Sequence, residues 1–160
     1  MAIDRARLVR TLEQTHPTLV QLTVWLDHAA LDFRVSRDAW SVREILAHLV
    51  DDEMYVMRTR LERIVKEDHP PLTPHDEKKW YANRNTTRDG LTELLADFSL
   101  QRGASLGIMK MLRESDWLRE GCQPEYGDFT AEGWLKRWVD HDATHIRQIE
   151  NNLAAYRKQT

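Results

Sequence analysis

Residues 40–53 read WSVREILAHLVDDE, and this stretch marks the start of a long helix that is apolar along one side. Ser41 and Glu44 form the Ser-x-x-Glu pattern of a capping box, in which each side chain bonds the backbone N–H of the other residue. The helix can continue to about Lys66, where an acidic pair and a proline-rich run prevent further helix. We therefore expect a capped helix over about 41–66.

Three further stretches repeat the spacing of apolar residues that is typical of amphipathic helices. The first runs from Leu8 to Leu26 and contains Pro17, which falls off the apolar stripe and so predicts a kink on the solvent side. The next is expected to begin at Thr86, after a long connection, and the last at Thr130. We find no strand-like alternation. Four such helices predict an all-α fold, a four-helix bundle with long inter-helix connections.

The length and composition indicate one globular domain over residues 1–160. Hydrophobic residues make up 41% and charged residues 31% of the chain, which is not the profile of a disordered protein. The 23 basic and 26 acidic residues are evenly spread, so we expect no nucleic-acid partner. The N-terminus lacks the apolar run of a signal peptide or membrane span, and there is a single cysteine. We expect a cytoplasmic protein without a membrane partner.

Three histidines are placed where they could meet inside the bundle. His141 and His145 are four residues apart on the predicted last helix, in register with its apolar stripe, so both could reach one ion. His48 lies on the inward sector of the second helix. Three imidazoles from two helices would leave a divalent metal with open positions for water or substrate. Nickel, zinc, iron and manganese are all compatible with such ligands.

The alternative is that each histidine is neutral and hydrogen-bonded within the core, because a buried imidazole needs a partner. Glu44 and Asp52 lie one turn on either side of His48, and Asp142 adjoins His141. Each carboxylate is a candidate for a cap, a surface charge or a group that orients a ligand. The tryptophans are expected in the core or as walls of a ligand pocket. We expect the other histidines outside the site: His16, His28, His69 and His75.

Two motifs resemble those of a known family, the DinB-like or YfiT-like metalloenzymes, which are four-helix bundles. The family pattern W-S-x-x-E-x-L-x-H-L is present as WSVREILAHL at 40–49, and H-[DE]-x-x-H-x-x-Q-I as HDATHIRQI at 141–149. The resemblance implies that His48, His141 and His145 are the metal ligands. It also implies a divalent metal that activates a low-molecular-weight thiol, as in bacillithiol transferases and mycothiol-dependent maleylpyruvate isomerases.

The sequence thus leads to three hypotheses about function. The first is a metalloenzyme that transfers a low-molecular-weight thiol to an electrophilic small-molecule substrate, with Asp52 or Glu44 as proton acceptor. The second is a metal-dependent hydrolase that uses the same site. The third is a non-catalytic binding or dimerisation module, since a homodimer through helix faces is plausible for such a bundle.

Overall fold

Four long helical segments enclose one apolar interior in the computed structural model, which describes residues 3–159. The second of them is continuous but is built from three parts. In chain order the segments are α1 (Arg5–Thr23); α3 (Val42–Asp52), a π-helical turn (Glu53–Arg58) and α4 (Thr59–Lys66); α6 (Leu91–Met111); and α8 (Ala131–Arg157). Short helices complete the list: α2 (His28–Asp32), α5 (Glu77–Asn83) and α7 (Glu114–Trp117). The predicted four-helix bundle is confirmed.

The order of the helices around the bundle differs from simple up-and-down succession. Both α1 and α3 pack against α6 and α8, whereas α1 lies diagonally opposite α3 and α6 lies diagonally opposite α8. The chain must therefore cross the end of the bundle after α1 and again before α8. This explains the long connections, which contain α2 in the first case and α7 with a hairpin in the second.

The predicted helix starts at Ser41 and Thr130 are confirmed. The Ser41 side chain accepts from the Glu44 backbone N–H, and the Glu44 carboxylate accepts from the Ser41 backbone N–H, so the capping box is complete. Thr130 caps α8 by accepting from the Gly133 backbone N–H. Pro17 lies exposed within α1, which stays helical on both sides of it as expected, although α1 ends at Thr23 and not at Leu26.

Three expectations about the connections are wrong. The third helix begins after Gly90 and not at Thr86, because the Asp89 carboxylate is bound by Arg84 at 2.9 Å and does not cap a helix. The connection before it contains α5. Two strands, β1 (Glu120–Gln123) and β2 (Gly127–Thr130), form an antiparallel hairpin in a region where no strand was expected. Strands of four residues are too short to show a recognisable alternation of apolar and polar residues.

The core consists of two apolar clusters. One is built on α1, α2, α3, α6 and the end of α8 around Ile45 and Ile149; the other surrounds Trp134 and Trp138 at the start of α8. These two tryptophans are buried, as predicted. Between residues 3 and 159 no helix is long and apolar enough to cross a membrane.

Candidate metal centre

The side chains of His48, His141 and His145 converge between α3 and α8. One ring nitrogen of each lies within 4.8 Å of the others, and the ring centroids are 4.5–5.5 Å apart. The i, i+4 spacing stacks His141 over His145 on one face of α8, and the packing of α3 against α8 brings His48 opposite them. The arrangement has the spacing that a single bound cation requires.

His48 is the most deeply buried of the three. Its residue is 0% exposed, and neither ring nitrogen has a hydrogen-bond partner in the part of the chain that the structure describes. Burial lowers the pKa of His48 to about 3, since removal from water disfavours the imidazolium. His48 is therefore neutral at physiological pH and presents lone-pair electrons to the centre. A satisfied core histidine would instead have a partner.

Gln148 orients His145. Its side-chain oxygen lies 2.8 Å from Nδ1 of His145, so this nitrogen donates and Nε2 is left to face the centre. Burial, followed by the charge on His141, lowers the pKa of His145 to about 4. Trp40 stacks almost parallel to the His145 ring, with an interplanar angle of 6°. Trp40 is half-buried and forms a wall of the site.

His141 has acidic neighbours on both sides. Its Nε2 lies 3.3 Å from an Asp52 oxygen and its Nδ1 3.5 Å from an Asp142 oxygen. Burial opposes protonation, but these two carboxylates outweigh it and raise the pKa of His141 to about 9. The potential at the centre thus favours a positive charge, which a metal ion can supply in place of the proton.

Asp52, in the last turn of α3, lies close to histidines of both α3 and α8. Its side chain is 4% exposed, and one carboxylate oxygen lies 3.5 Å from Nε2 of His48. Burial raises the pKa of Asp52, but the contacts with His141 and His75 are stronger together and hold that pKa well below its usual range. Asp52 is therefore a charged carboxylate beside the imidazoles.

The sequence prediction missed His75, which was placed outside the site. Its Nε2 lies 3.1 Å from the second oxygen of Asp52, and contact with Asp52 raises the pKa of His75 despite burial. His75, Asp52 and His48 form a second group of side chains with the spacing of metal ligands. Trp80 of α5 packs edge-on against His48. Both residues reach the centre through a connection that has no periodic pattern.

A buried ion-pair network contacts His141 through Asp142. Arg102 of α6 binds Glu53 with two nitrogens, at 2.9 and 2.8 Å, and also lies 2.8 Å from Asp142. Thr15 donates to the same Asp142 oxygen at 2.7 Å. These contacts fix the carboxylate that adjoins His141, which is how a ligating histidine is commonly oriented.

The remaining candidates lie elsewhere. Glu44 uses one oxygen in the capping box and the other to bind Arg34, so its carboxylate is not part of the cluster. His16, His28 and His69 contact Phe98, Arg43 and Asp128 respectively, away from the three histidines, as expected.

A cavity of about 450 Å³ opens onto the centre. Its lining includes His141, His145, Asp52 and His75, together with polar and aromatic residues of α4, the hairpin and α8. A small molecule in this cavity would contact His141 and His145 directly. Three imidazole donors beside a cavity, with His141 giving up its proton on binding, fit a divalent cation of the zinc, nickel, iron or manganese type with open positions.

The described residues thus define a helical bundle with a three-histidine cluster that could hold a metal ion. A family model described as the DinB superfamily matches residues 11–149. The chain belongs to the DinB superfamily, as the sequence motifs predicted.

Two relatives share much of the chain. One, from Bacillus subtilis (strain 168), is named "Putative metal-dependent hydrolase YfiT"; it is 25% identical over 149 residues, covering 91% of this chain and 82% of its own. The other, from Oceanobacillus iheyensis, is named "Putative metal-dependent hydrolase OB0782" and is 35% identical over 145 residues, covering 83% and 77%. The solved structure of YfiT, described as a four-helix bundle of unusual topology, matches with a TM-score of 0.85 at 23% identity, over 95% of this chain and 87% of that one.

Proposed function

We propose that this protein is a metal-dependent hydrolase that acts on a small molecule in the cavity beside the three histidines. The observation that carries the proposal is the convergence of three imidazoles, among which the buried His48 has no hydrogen-bond partner at either ring nitrogen within residues 3–159. The cavity gives a substrate access to His141 and His145. The names of the two relatives support hydrolysis as the reaction class.

His48, His141 and His145 would hold the ion, and Gln148 and Asp142 would orient two of these rings. A divalent ion in this position supplies Lewis acidity, which polarises a carbonyl or phosphoryl oxygen and lowers the pKa of nearby water.

Asp52 is the proposed proton acceptor. Its charged carboxylate lies within 3.5 Å of two of the imidazoles and lines the cavity. In hydrolysis, Asp52 takes a proton from the attacking water as the oxygen bonds to the substrate, and later returns it to the leaving group. His75 contacts the other oxygen of Asp52 and holds the carboxylate in place. Glu44, the second sequence candidate, is occupied by the helix cap and Arg34.

Thiol transfer stays a prediction from the family resemblance. It requires the same three histidines and the same proton acceptor, but with a thiol as the attacking group. No contact among the described residues favours a thiol over water. Hydrolase assays with and without added low-molecular-weight thiols separate the two reactions.

The first test is metal content. Protein purified without chelator or nickel resin should contain near-stoichiometric divalent metal by elemental analysis. The triple variant His48→Ala, His141→Ala, His145→Ala should lose the metal and keep its helical circular dichroism. A wild-type protein that binds no metal after reconstitution with zinc, nickel, iron or manganese would refute the proposal and favour the non-catalytic module.

The second test addresses Asp52. The variant Asp52→Asn should keep its metal but lose hydrolysis of activated esters by about 10²–10⁴-fold, the usual contribution of a general base. Asp97→Asn is the matched control, because Asp97 is exposed on α6, away from the site. Equal activity of both variants at equal metal content would remove Asp52 from the mechanism.

A further inference from the structure

Three arginines are buried among residues 3–159: Arg43, Arg60 and Arg102. Arg43 and Arg102 are each neutralised by carboxylates at hydrogen-bonding distance. Arg60 is only 9% exposed, yet it forms no salt bridge within the described part of the chain. Burying a charge is costly unless it is paired. The position of Arg60 therefore needs an explanation beyond packing.

The Arg60 guanidinium is held on one edge and free on the other. Its Nη2 donates to the Thr73 carbonyl at 2.7 Å, while its flat face lies 5.0 Å from the ring centroid of Trp134. That indole is itself fixed, because its Nε1 donates to the Met57 carbonyl at 2.9 Å. The remaining nitrogens of Arg60 form no hydrogen bond to any described residue. A rigid guanidinium with free donors suits the planar fork geometry of a carboxylate or phosphate.

Arg60 lines the same cavity as the histidines, on the side of α4. Asp52 and Glu125 share this cavity and favour the charged form of Arg60, although burial lowers its pKa. Neither of them forms a salt bridge with it. A ligand in the cavity could thus contact the centre at one end and Arg60 at the other.

We propose that Arg60 binds an anionic group of the substrate, a carboxylate or a phosphate, while the reacting bond lies at the three-histidine centre. This assignment rests on the proposed function and names its substrate class: small anionic molecules. Arg137, on the exposed side of α8, also lines this cavity. Four carboxylates share the lining, so anion binding depends on the free donors of Arg60 and not on an excess of positive charge: Asp52, Glu77, Glu125 and Asp140.

The test is ligand binding to the zinc-loaded protein by titration calorimetry, with zinc content measured separately. The ligands are a dicarboxylate series from malonate to adipate and 3-phosphonopropionate; one anionic end can occupy the centre and the other can reach Arg60. At least one ligand should bind, and Arg60→Gln should weaken it about tenfold to a hundredfold, the usual loss for a charged hydrogen-bonded pair. The relative affinities of the carboxylate and phosphonate ligands show which kind of anionic group Arg60 binds.

Arg63→Gln is the matched control, since Arg63 lies one turn away on α4 and pairs with Glu67 at the surface; it should bind like wild type. Arg60→Lys keeps the positive charge but lacks the planar pair of guanidinium donors, so it should bind with intermediate affinity. This variant provides the test if Arg60→Gln does not fold. Unchanged binding in a folded, zinc-containing Arg60 variant would overturn the proposal, as would wild-type protein that holds zinc but binds none of these anions. Protein that takes up none of zinc, nickel, iron or manganese would instead refute the proposed function; where another of these ions binds in place of zinc, the titration uses that ion.

Discussion

Replacing Arg102 by methionine should destabilise the fold more than any other single charge removal in the bundle. Arg102 is 3% exposed and makes short contacts with Glu53 and Asp142, which are 1% and 3% exposed. It also donates to the Leu12 carbonyl of α1 at 2.8 Å, so from α6 it contacts all three of the other long helical segments. Methionine fills much of the same volume, and the lost charge therefore dominates the effect.

The magnitude follows from what the substitution leaves behind. Without Arg102, two carboxylates that now share one nitrogen would stay buried and face each other. Breaking a buried ion pair by removing one partner costs about 3–5 kcal/mol. Domains of this size are stable by only about 5–15 kcal/mol, so the variant should be near the limit of folding.

The assay is urea unfolding of metal-free protein at pH 7.5, followed by circular dichroism. Arg63→Met, which breaks an exposed pair, should leave the free energy of unfolding nearly unchanged. Adding Glu53→Gln to Arg102→Met should recover part of the loss, because one of the two unpaired charges is removed.

The dependence on pH gives a second check. Arg102 and His141 lower the pKa of Asp142 against the effect of burial, so ionised Asp142 adds stability above its unfolded-state pKa, and this stability is lost on acidification through its folded-state pKa. In Arg102→Met, burial is less opposed and the ionised form becomes unfavourable. The stability difference between wild type and variant should therefore shrink as the pH falls. A loss below about 1 kcal/mol, or a gap that does not change with pH, would refute this account.

Three further predictions concern the centre and the helix start. Gln148→Ala should weaken zinc binding about 10–100-fold, measured by chelator competition, because His145 loses the partner that orients it; a change below about twofold would contradict this role. Since the pKa of His141 is about 9 without metal, zinc binding at pH 7.5 should release about one proton. Calorimetry in buffers of different ionisation enthalpy measures the number of protons released. If no proton is released, His141 is already neutral or is not a ligand. Ser41→Ala should cost about 1 kcal/mol in urea unfolding through loss of the capping box with Glu44, and an unchanged midpoint would argue against the cap.

Local chemistry explains which helix starts could be predicted. The caps at Ser41 and Thr130 depend on hydrogen bonds that span three residues, so the sequence shows both partners. Thr86 and Asp89 have a similar pattern, but Arg84 binds the Asp89 carboxylate and Arg43 binds its carbonyl, and no helix starts there. Tertiary contacts outweighed a local preference at this position.

The same limit applies to the centre. His48, His141 and His145 could be predicted because helical spacing determines which residues share an inward face, and the motifs agree with it. His75 lies in a connection whose path over the bundle depends on contacts made far along the chain, so no spacing rule indicated its approach to Asp52.

By itself the sequence determined four amphipathic helices, two of their caps and the three histidines on inward faces, because these properties depend on residues within one or two turns. Only the tertiary structure decided the diagonal order of the helices, the hairpin and the approach of His75 to Asp52. It also decided that buried Arg102 pairs with carboxylates, whereas buried Arg60 forms no salt bridge among the described residues. An arginine's charge is the same everywhere in a sequence. Whether it is buried, and whether a carboxylate meets it there, depends on which distant segments pack around it.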